Sequence, residues 1–141
     1  MSKTWSSSLE IGVDVIDAQH HELFDRFDAF MDALEVGGPF VQDETARALT
    51  FLDGYVKTHF ADEERVMRER GYPSLARHRH MHRVFTDELA GLAERHRNSG
   101  VTPSFTLAFT NLFEGWFVKH VASVDQRLGE FLAGRDAGMQ V

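Results

Sequence analysis

The strongest constraint on the fold is an apolar periodicity of three to four residues that recurs in four long segments of the 141-residue chain. Residues spaced in this way lie on one face of an α-helix, and that face is then buried against other elements. The periodicity predicts helices over residues 16–36, 43–70, 74–97 and 103–133, with helix-breaking glycine and proline between them. Four long helices joined by short loops predict an all-α fold, an antiparallel up-down-up-down four-helix bundle.

The segment before the first helix is too short to form a sheet of its own. Its apolar residues alternate with polar or small ones, at Leu9, Ile11, Val13 and Val15. We expect residues 1–15 to form an extended arm that packs on the bundle through these residues and Trp5. The length and the hydrophobic fraction of 43% suit one compact core, so we interpret residues 1–141 as a single domain.

Histidines occupy the apolar faces of all four predicted helices. His59 lies one turn before Glu63, and both fall between Val56 and Val66 on the buried face of the second helix. The other histidines on apolar faces are His20 in the first helix, His78 and His82 in the third, and His120 in the fourth. Every helix therefore directs an imidazole towards the common core.

A core of this kind needs a compensating charge. An unpaired buried polar group costs roughly 1–3 kcal/mol, and an unpaired charge costs far more. Five converging imidazoles and a carboxylate therefore predict a bound cation. The chain has no cysteine, so its ligands would be nitrogen and oxygen, which suit divalent iron, manganese or zinc.

A second carboxylate, Asp125, follows His120 by five residues, which on a regular helix places it about 140° away. The apolar pattern slips at the same point, because positions 109, 113, 116 and 120 are followed by 125, 128 and 132. One extra residue within a helix is typical of a π-bulge. We therefore predict a π-bulge between His120 and Asp125 that turns both side chains to the core. Five histidines and two carboxylates exceed the needs of one ion, which predicts two ions about 3.5–4 Å apart, bridged by the carboxylates.

Four stretches of the chain resemble the motifs of the hemerythrin family, and within it the single-domain bacteriohemerythrins. They are WSSSLEIGVDVIDAQHHEL (5–23), HFADEERVM (59–67), GYPSLARHRHMH (71–82) and WFVKHVASVD (116–125). The resemblance covers nearly the whole chain and implies a non-haem di-iron centre that cycles between Fe2+ and Fe3+. It implies that His20 and His59 hold one iron and that three histidines, His78, His82 and His120, hold the other. Glu63, Asp125 and an oxo or hydroxo group would bridge the two.

The same resemblance implies a function in which the protein binds dioxygen reversibly, for oxygen storage, transport or sensing, and is not an enzyme. It also implies that the oxygen pocket is lined by Phe60, Trp116, Phe117 and Val121. Phe117 departs from the family pattern, in which leucine is usual at this position.

Other functions compete with oxygen binding. A di-iron oxidase or peroxidase, or a nitric-oxide-handling enzyme, is the main alternative. Such enzymes use additional carboxylates, often in Glu-x-x-His pairs, whereas only two carboxylates are available here. A sensor module that signals through a separate protein and a zinc or mixed-metal structural site are further alternatives.

Composition and charge narrow the partners and the location. The net charge of −7 argues against nucleic acid and anionic membranes, and no apolar run is long enough for membrane insertion. We expect a cytoplasmic monomer whose partners are dioxygen and an oxygen-consuming protein still to be identified. The remaining polar residues near the motifs are predicted to face solvent, namely His21, Asp62, Glu64 and His80.

Overall fold

The computed structural model describes residues 5–134, and these form four long helices and no strand. They are α1 (Asp14–Val36), α2 (Val41–Arg70), α3 (Leu75–Ser99) and α4, which covers residues 103–132. Each helix packs on the next, and α4 also packs on α1, so the four enclose one core. The prediction of an all-α four-helix bundle is confirmed.

Helix α4 differs from the others because its backbone changes periodicity along its length. It consists of α-helix at Pro103–Thr110 and Asp125–Leu132 and of π-helix at Asn111–Phe117 and His120–Val124. The backbone nevertheless stays in the right-handed helical region at the junctions, at Thr110, Val118, Lys119 and Val124. The helix is therefore continuous while its turns vary in length.

The helix ends follow from local residue preferences. Gly71 closes α2 in the left-handed conformation, with φ of 68°, which glycine adopts without strain. The Thr102 side chain accepts a hydrogen bond from the Phe105 backbone N–H at 3.0 Å, and Pro103 occupies the first turn of α4. Ser74 stands at the cap position of α3, but its side chain makes no capping hydrogen bond with the described residues.

The core is rich in aromatic side chains. Five phenylalanines from three helices contact one another there, namely Phe24, Phe27, Phe85, Phe113 and Phe117. The predicted apolar face of α2 is wrong at one position. Met67 is fully buried, whereas Val66, which was predicted to be buried, is only half-buried. Position 67 lies four residues after Glu63 and so shares its face more closely than position 66 does.

The described residues do not show the extended arm that the sequence predicts. Ser7–Leu9 forms a turn of 3₁₀ helix, and residues 1–4 lie outside the described part of the chain. The segment still packs on α4, because the Gln126 side-chain amide donates to the Leu9 carbonyl at 2.8 Å and Ile11 is buried. Val15, which the alternation placed on the bundle, is 49% exposed on α1.

Within residues 5–134, every helix is too short or too polar to span a lipid bilayer.

Candidate metal centre

Seven polar side chains from all four helices meet in the bundle core, and none is more than 5% exposed. They are His20 from α1, His59 and Glu63 from α2, His78 and His82 from α3, and His120 and Asp125 from α4. The structure thus brings together all seven residues that the sequence singled out as metal ligands.

Regular helix geometry positions the pairs on α2 and α3. His59 and Glu63 are four residues apart, as are His78 and His82, so each pair lies on one helical face. The imidazole rings of His78 and His82 meet edge to face with centroids 4.6 Å apart.

A π-helical segment positions the pair on α4. His120–Val124 is π-helical, as predicted from the slip in the apolar pattern, and Asp125 is only 1% exposed. Its Oδ1 atom lies 3.2 Å from His120 Nε2. The additional residue in the helix therefore brings a five-residue spacing onto one face.

The two carboxylates divide their oxygens between two sets of imidazoles. Glu63 Oε2 faces His20 Nε2 at 3.5 Å and His59 Nε2 at 3.7 Å. Its Oε1 atom faces His78 Nε2 at 2.9 Å and His82 Nε2 at 3.0 Å. We refer to His20 and His59 as the two-histidine group and to His78, His82 and His120 as the three-histidine group.

Asp125 repeats this division. Its Oδ2 atom lies 3.1 Å from His20 Nε2, in the two-histidine group. Its Oδ1 atom lies 3.0 Å from His78 Nε2 and 3.2 Å from His120 Nε2, in the three-histidine group. Each carboxylate therefore offers one oxygen to each group, which is the arrangement that a ligand shared by two cations requires.

The nitrogen and oxygen atoms that face the centre make no hydrogen bond within the described residues. All five imidazole Nε2 atoms and all four carboxylate oxygens are buried without a hydrogen-bond partner. Several lie about 3 Å apart, but none of these contacts has the direction of a hydrogen bond. They form two overlapping sets, each with its donor atoms within 4.8 Å of one another. Because each unpaired buried polar atom costs roughly 1–3 kcal/mol, the set fits a pair of cations.

The outer nitrogens of two imidazoles are hydrogen-bonded. His59 Nδ1 lies 2.8 Å from Gln19 Oε1, and the Gln19 amide donates to Asp62 Oδ2 at 2.8 Å. His82 Nδ1 lies 2.8 Å from Glu64 Oε2. Asp62 and Glu64, which were predicted to belong to a solvated face, are half-buried, with side chains 29% and 21% exposed, and both take part in hydrogen bonds behind the centre.

Burial and neighbouring charge move the pKa values of these imidazoles in opposite directions. Burial alone would lower the pKa of His20, but the adjacent carboxylates of Asp125 and Glu63 outweigh it and raise the pKa to about 10. The same balance raises the pKa of His78 to about 9. Burial and the charge of His20 lower the pKa of His59 to about 3. Without metal, His20 and His78 are therefore positively charged at neutral pH. A cation that binds to Nε2 must displace the additional proton.

The carboxyl groups are ionised in this environment. Burial, and for Glu63 the nearby charge of Asp125, would raise their pKa values. The surrounding imidazoles outweigh these effects and hold the pKa of both Glu63 and Asp125 well below the usual range. Ionised carboxylates and imidazoles are the donor set of a divalent metal site.

The chain matches the family model described as the hemerythrin HHE cation binding domain over residues 11–132. It belongs to the hemerythrin family. It is 31% identical over 123 residues to a bacteriohemerythrin from Stenotrophomonas maltophilia, covering 86% of this chain and 76% of that protein. A bacteriohemerythrin from Methylococcus capsulatus is 29% identical over 133 residues, covering 92% and 96%. A myohemerythrin from Riftia pachyptila is 26% identical over 121 residues, covering 86% of each chain.

The residues expected to line an oxygen pocket in a hemerythrin are all near the centre or in the core beside it. The Phe60 ring stacks on His82 with centroids 3.7 Å apart, and the Trp116 ring stacks on His120 at 4.5 Å. Phe117 and Val121 are fully buried. Phe117 fills its position by contacting the rings of Phe24, Phe27, Phe85 and Phe113. Their role in forming a pocket stays a prediction.

Two further histidines lie beside the motifs and face outward. The His21 side chain is 45% exposed and stacks on Trp5 with ring centroids 4.3 Å apart. His80, between His78 and His82, is exposed on the outer face of α3. Substituting either of these two imidazoles should therefore leave the buried donors in place, so such variants are suitable controls for substitutions at the centre.

Proposed function

We propose that this member of the hemerythrin family binds dioxygen reversibly at a non-haem di-iron centre, for oxygen storage, transport or sensing. In this proposal the two-histidine group holds one iron and the three-histidine group holds the other, while Glu63 and Asp125 bridge them. The observation that carries the proposal is the division of each carboxylate's oxygens between the two groups. A site for one ion has no need for that division.

The five imidazoles and two carboxylates would hold the two irons, which when bound would supply the reversible two-electron chemistry that dioxygen binding requires. The chain contributes an unequal set of donors, with two imidazoles on one side, three on the other and two carboxylates shared. The two-histidine side therefore has one protein ligand fewer, which leaves room there for an external ligand. The burial of all seven side chains keeps bulk water from the site, so protons for irreversible oxidation are scarce.

The donor set favours oxygen binding over the alternative of a di-iron oxidase, peroxidase or nitric-oxide-handling enzyme. Additional carboxylates in such enzymes bring negative charge that stabilises highly oxidised iron. Di-iron carboxylate proteins take a glutamate from each of their four helices together with two histidines. Here five imidazoles and two carboxylates converge, so the donors carry less negative charge.

A metal and spectroscopic measurement tests the proposal. The purified protein should contain two irons per chain. After anaerobic reduction, air should produce a charge-transfer band in the visible spectrum that disappears under vacuum and returns with air. Rapid loss of the band to a ferric form, with turnover of an added reductant, would support the enzyme instead. Zinc in place of iron would contradict both.

A pair of variants on α3 tests the assignment of the donors. His82→Ala removes a buried imidazole of the three-histidine group and should abolish the iron pair. His80→Ala removes an exposed imidazole two residues away and should leave two irons per chain. Equal loss of iron in both variants would contradict the assignment.

A further inference from the structure

One imidazole in each histidine group has its Nδ1 atom against a polar side chain, and these two side chains differ in charge. In the three-histidine group, His82 Nδ1 contacts the Glu64 carboxylate at 2.8 Å. In the two-histidine group, His59 Nδ1 contacts the neutral Gln19 amide at the same distance. The two contacts have the same length, and they differ in that one partner is a carboxylate and the other a neutral amide.

The hydrogen bonds fix which ring nitrogen carries the proton. An ionised carboxylate only accepts hydrogen bonds, so His82 donates from Nδ1 to Glu64. The Gln19 amide nitrogen donates to the Asp62 carboxylate, so its oxygen is the atom that faces His59 and accepts from Nδ1. Each imidazole therefore uses its Nδ1–H in this hydrogen bond, which leaves Nε2 as the nitrogen that faces the centre and would coordinate a metal.

The nearest carboxylate behind the imidazole is in direct contact with His82 but is one side chain removed from His59. Glu64 touches its imidazole directly, and its other oxygen lies 3.5 Å from Arg79 Nε at the surface. On the opposite side, the first carboxylate is Asp62, which the length of the Gln19 side chain separates from His59. Carboxylate hydrogen-bonded to a coordinating imidazole raises its basicity as a ligand, and an amide does so far less.

We propose that Glu64 and Gln19 are positioning residues that make the two iron sites electronically unequal. Glu64, acting through His82, favours the higher charge on the ion of the three-histidine group. Gln19 orients His59 without adding charge, so the ion of the two-histidine group is held less strongly in its oxidised form. This inference rests on the proposed di-iron centre and extends it.

Metal affinity provides the first test. Metal-free protein is titrated with Co2+, a redox-stable probe, and two binding steps are resolved. Glu64→Gln keeps an oxygen that accepts from His82 but removes the charge, and it should weaken one step about tenfold. That step should be the one that His82→Ala abolishes.

Glu69→Gln, the same change on an exposed residue of α2, should leave both steps unchanged. Equal weakening of both steps by Glu64→Gln would overturn the proposal.

The sign of a change in reduction potential provides the second test, because a merely structural role would not predict it. Glu64→Gln in the iron-loaded protein should raise the midpoint potential, since the oxidised centre loses a nearby negative charge. The double variant Gln19→Glu with Asp62→Asn exchanges amide and carboxylate without altering net charge. It brings the negative charge against His59 and should lower the midpoint potential.

The outcomes separate this inference from the proposed function. A wild-type chain that binds fewer than two irons contradicts the di-iron centre itself. A chain that binds two irons, but whose potential stays unchanged or moves in the same direction in both variants, contradicts the role of Glu64 and Gln19 alone. Opposite shifts, together with unchanged potential in Glu69→Gln, support it.

Discussion

Helices α2 and α4 each bring one histidine and one carboxylate to the centre, but their backbones do so differently. α2 is a regular α-helix from Val41 to Arg70 and places His59 and Glu63 four residues apart. α4 contains two π-helical segments and places His120 and Asp125 five residues apart. Both carboxylates nevertheless divide their oxygens between the same two histidine groups.

Residue spacing alone therefore does not define a helical face. Four residues advance about 400° around an α-helix, which is close to one full turn, whereas five advance about 500°. A turn with one additional residue restores the alignment. The local periodicity of the backbone therefore decides which spacing of polar residues forms a site.

Deleting one residue between the two donors of each helix should give the largest difference. Removing Ala122 gives α4 the regular four-residue spacing, so we expect the chain to fold and to retain two metal ions. Removing Ala61 turns the rest of α2 by about 100°, which takes Met67 out of the core. We expect this chain to lose both the metal and cooperative unfolding. Metal analysis and thermal unfolding followed by circular dichroism measure both effects.

The two deletions are matched because both alanines are exposed and neither contributes a side chain to the core. Loss of metal from both chains would show that the centre needs the π-helical geometry of α4 and not merely the aligned donors.

Truncating one buried aromatic side chain in each helix tests whether the π-helical backbone packs as well as the regular one. Phe117 in α4 is fully buried and Phe60 in α2 is 4% exposed. Phe117→Ala and Phe60→Ala should each lower the free energy of unfolding of the metal-free protein by about 3–5 kcal/mol. Urea unfolding measures both. A loss below about 1 kcal/mol at Phe117 would indicate loose packing around the π-helical segment, contrary to the comparison.

A glycine in each helix provides a smaller contrast of opposite sign. At Gly129 in α4, an added Cβ would stand 2.9 Å from Ile11 Cβ, so Gly129→Ala should destabilise the fold by about 1–3 kcal/mol. At Gly54 in α2, an added Cβ would meet no described atom within 4 Å beyond its chain neighbours and the adjacent backbone of its own helix. Gly54→Ala should stabilise the fold by roughly 0.5–1 kcal/mol, because alanine favours a helix interior. Thermal unfolding of the two variants should shift in opposite directions, and stabilisation by Gly129→Ala would contradict the close contact of Ile11 with α4.

The helix caps give the smallest expected effect. Thr102→Ala removes the hydrogen bond to the Phe105 N–H at the start of α4 and should cost about 1 kcal/mol. Ser74→Ala at the start of α3 removes no capping hydrogen bond and should change stability by less than about 0.5 kcal/mol. Chemical denaturation resolves this difference, and equal losses would show that Ser74 caps α3 in solution.

The apolar pattern predicted the helices and the polar residues in their core, because burial of a helical face is a local property of the sequence. It also revealed the π-bulge after His120, since the regularly spaced Leu128 and Leu132 expose the slip. It did not reveal the π-helical segment Asn111–Phe117. There, apolar residues are dense enough to satisfy more than one periodicity, so no slip is visible.

The contacts of Gln19, Asp62 and Glu64 could not be predicted in the same way. Gln19 is one residue from His20 and 40 residues from His59, whose Nδ1 its side chain contacts. Glu64 is 18 residues from His82, on a different helix. No spacing within one helix indicates such contacts, because they depend on which faces the neighbouring helices turn to each other.

Helical periodicity is enough to predict which imidazoles and carboxylates enter the core, because each helix buries the face that carries its apolar residues. Periodicity alone does not divide these donors into a group of two and a group of three, a division that the family resemblance implied. The packing of the helices shows the contacts behind it, with a carboxylate against His82 and an amide against His59. The difference between the two kinds of information lies in the sequence distance over which each acts. Helical periodicity acts over a few residues, whereas the division of Glu63 and Asp125 between the groups arises where four distant segments pack together.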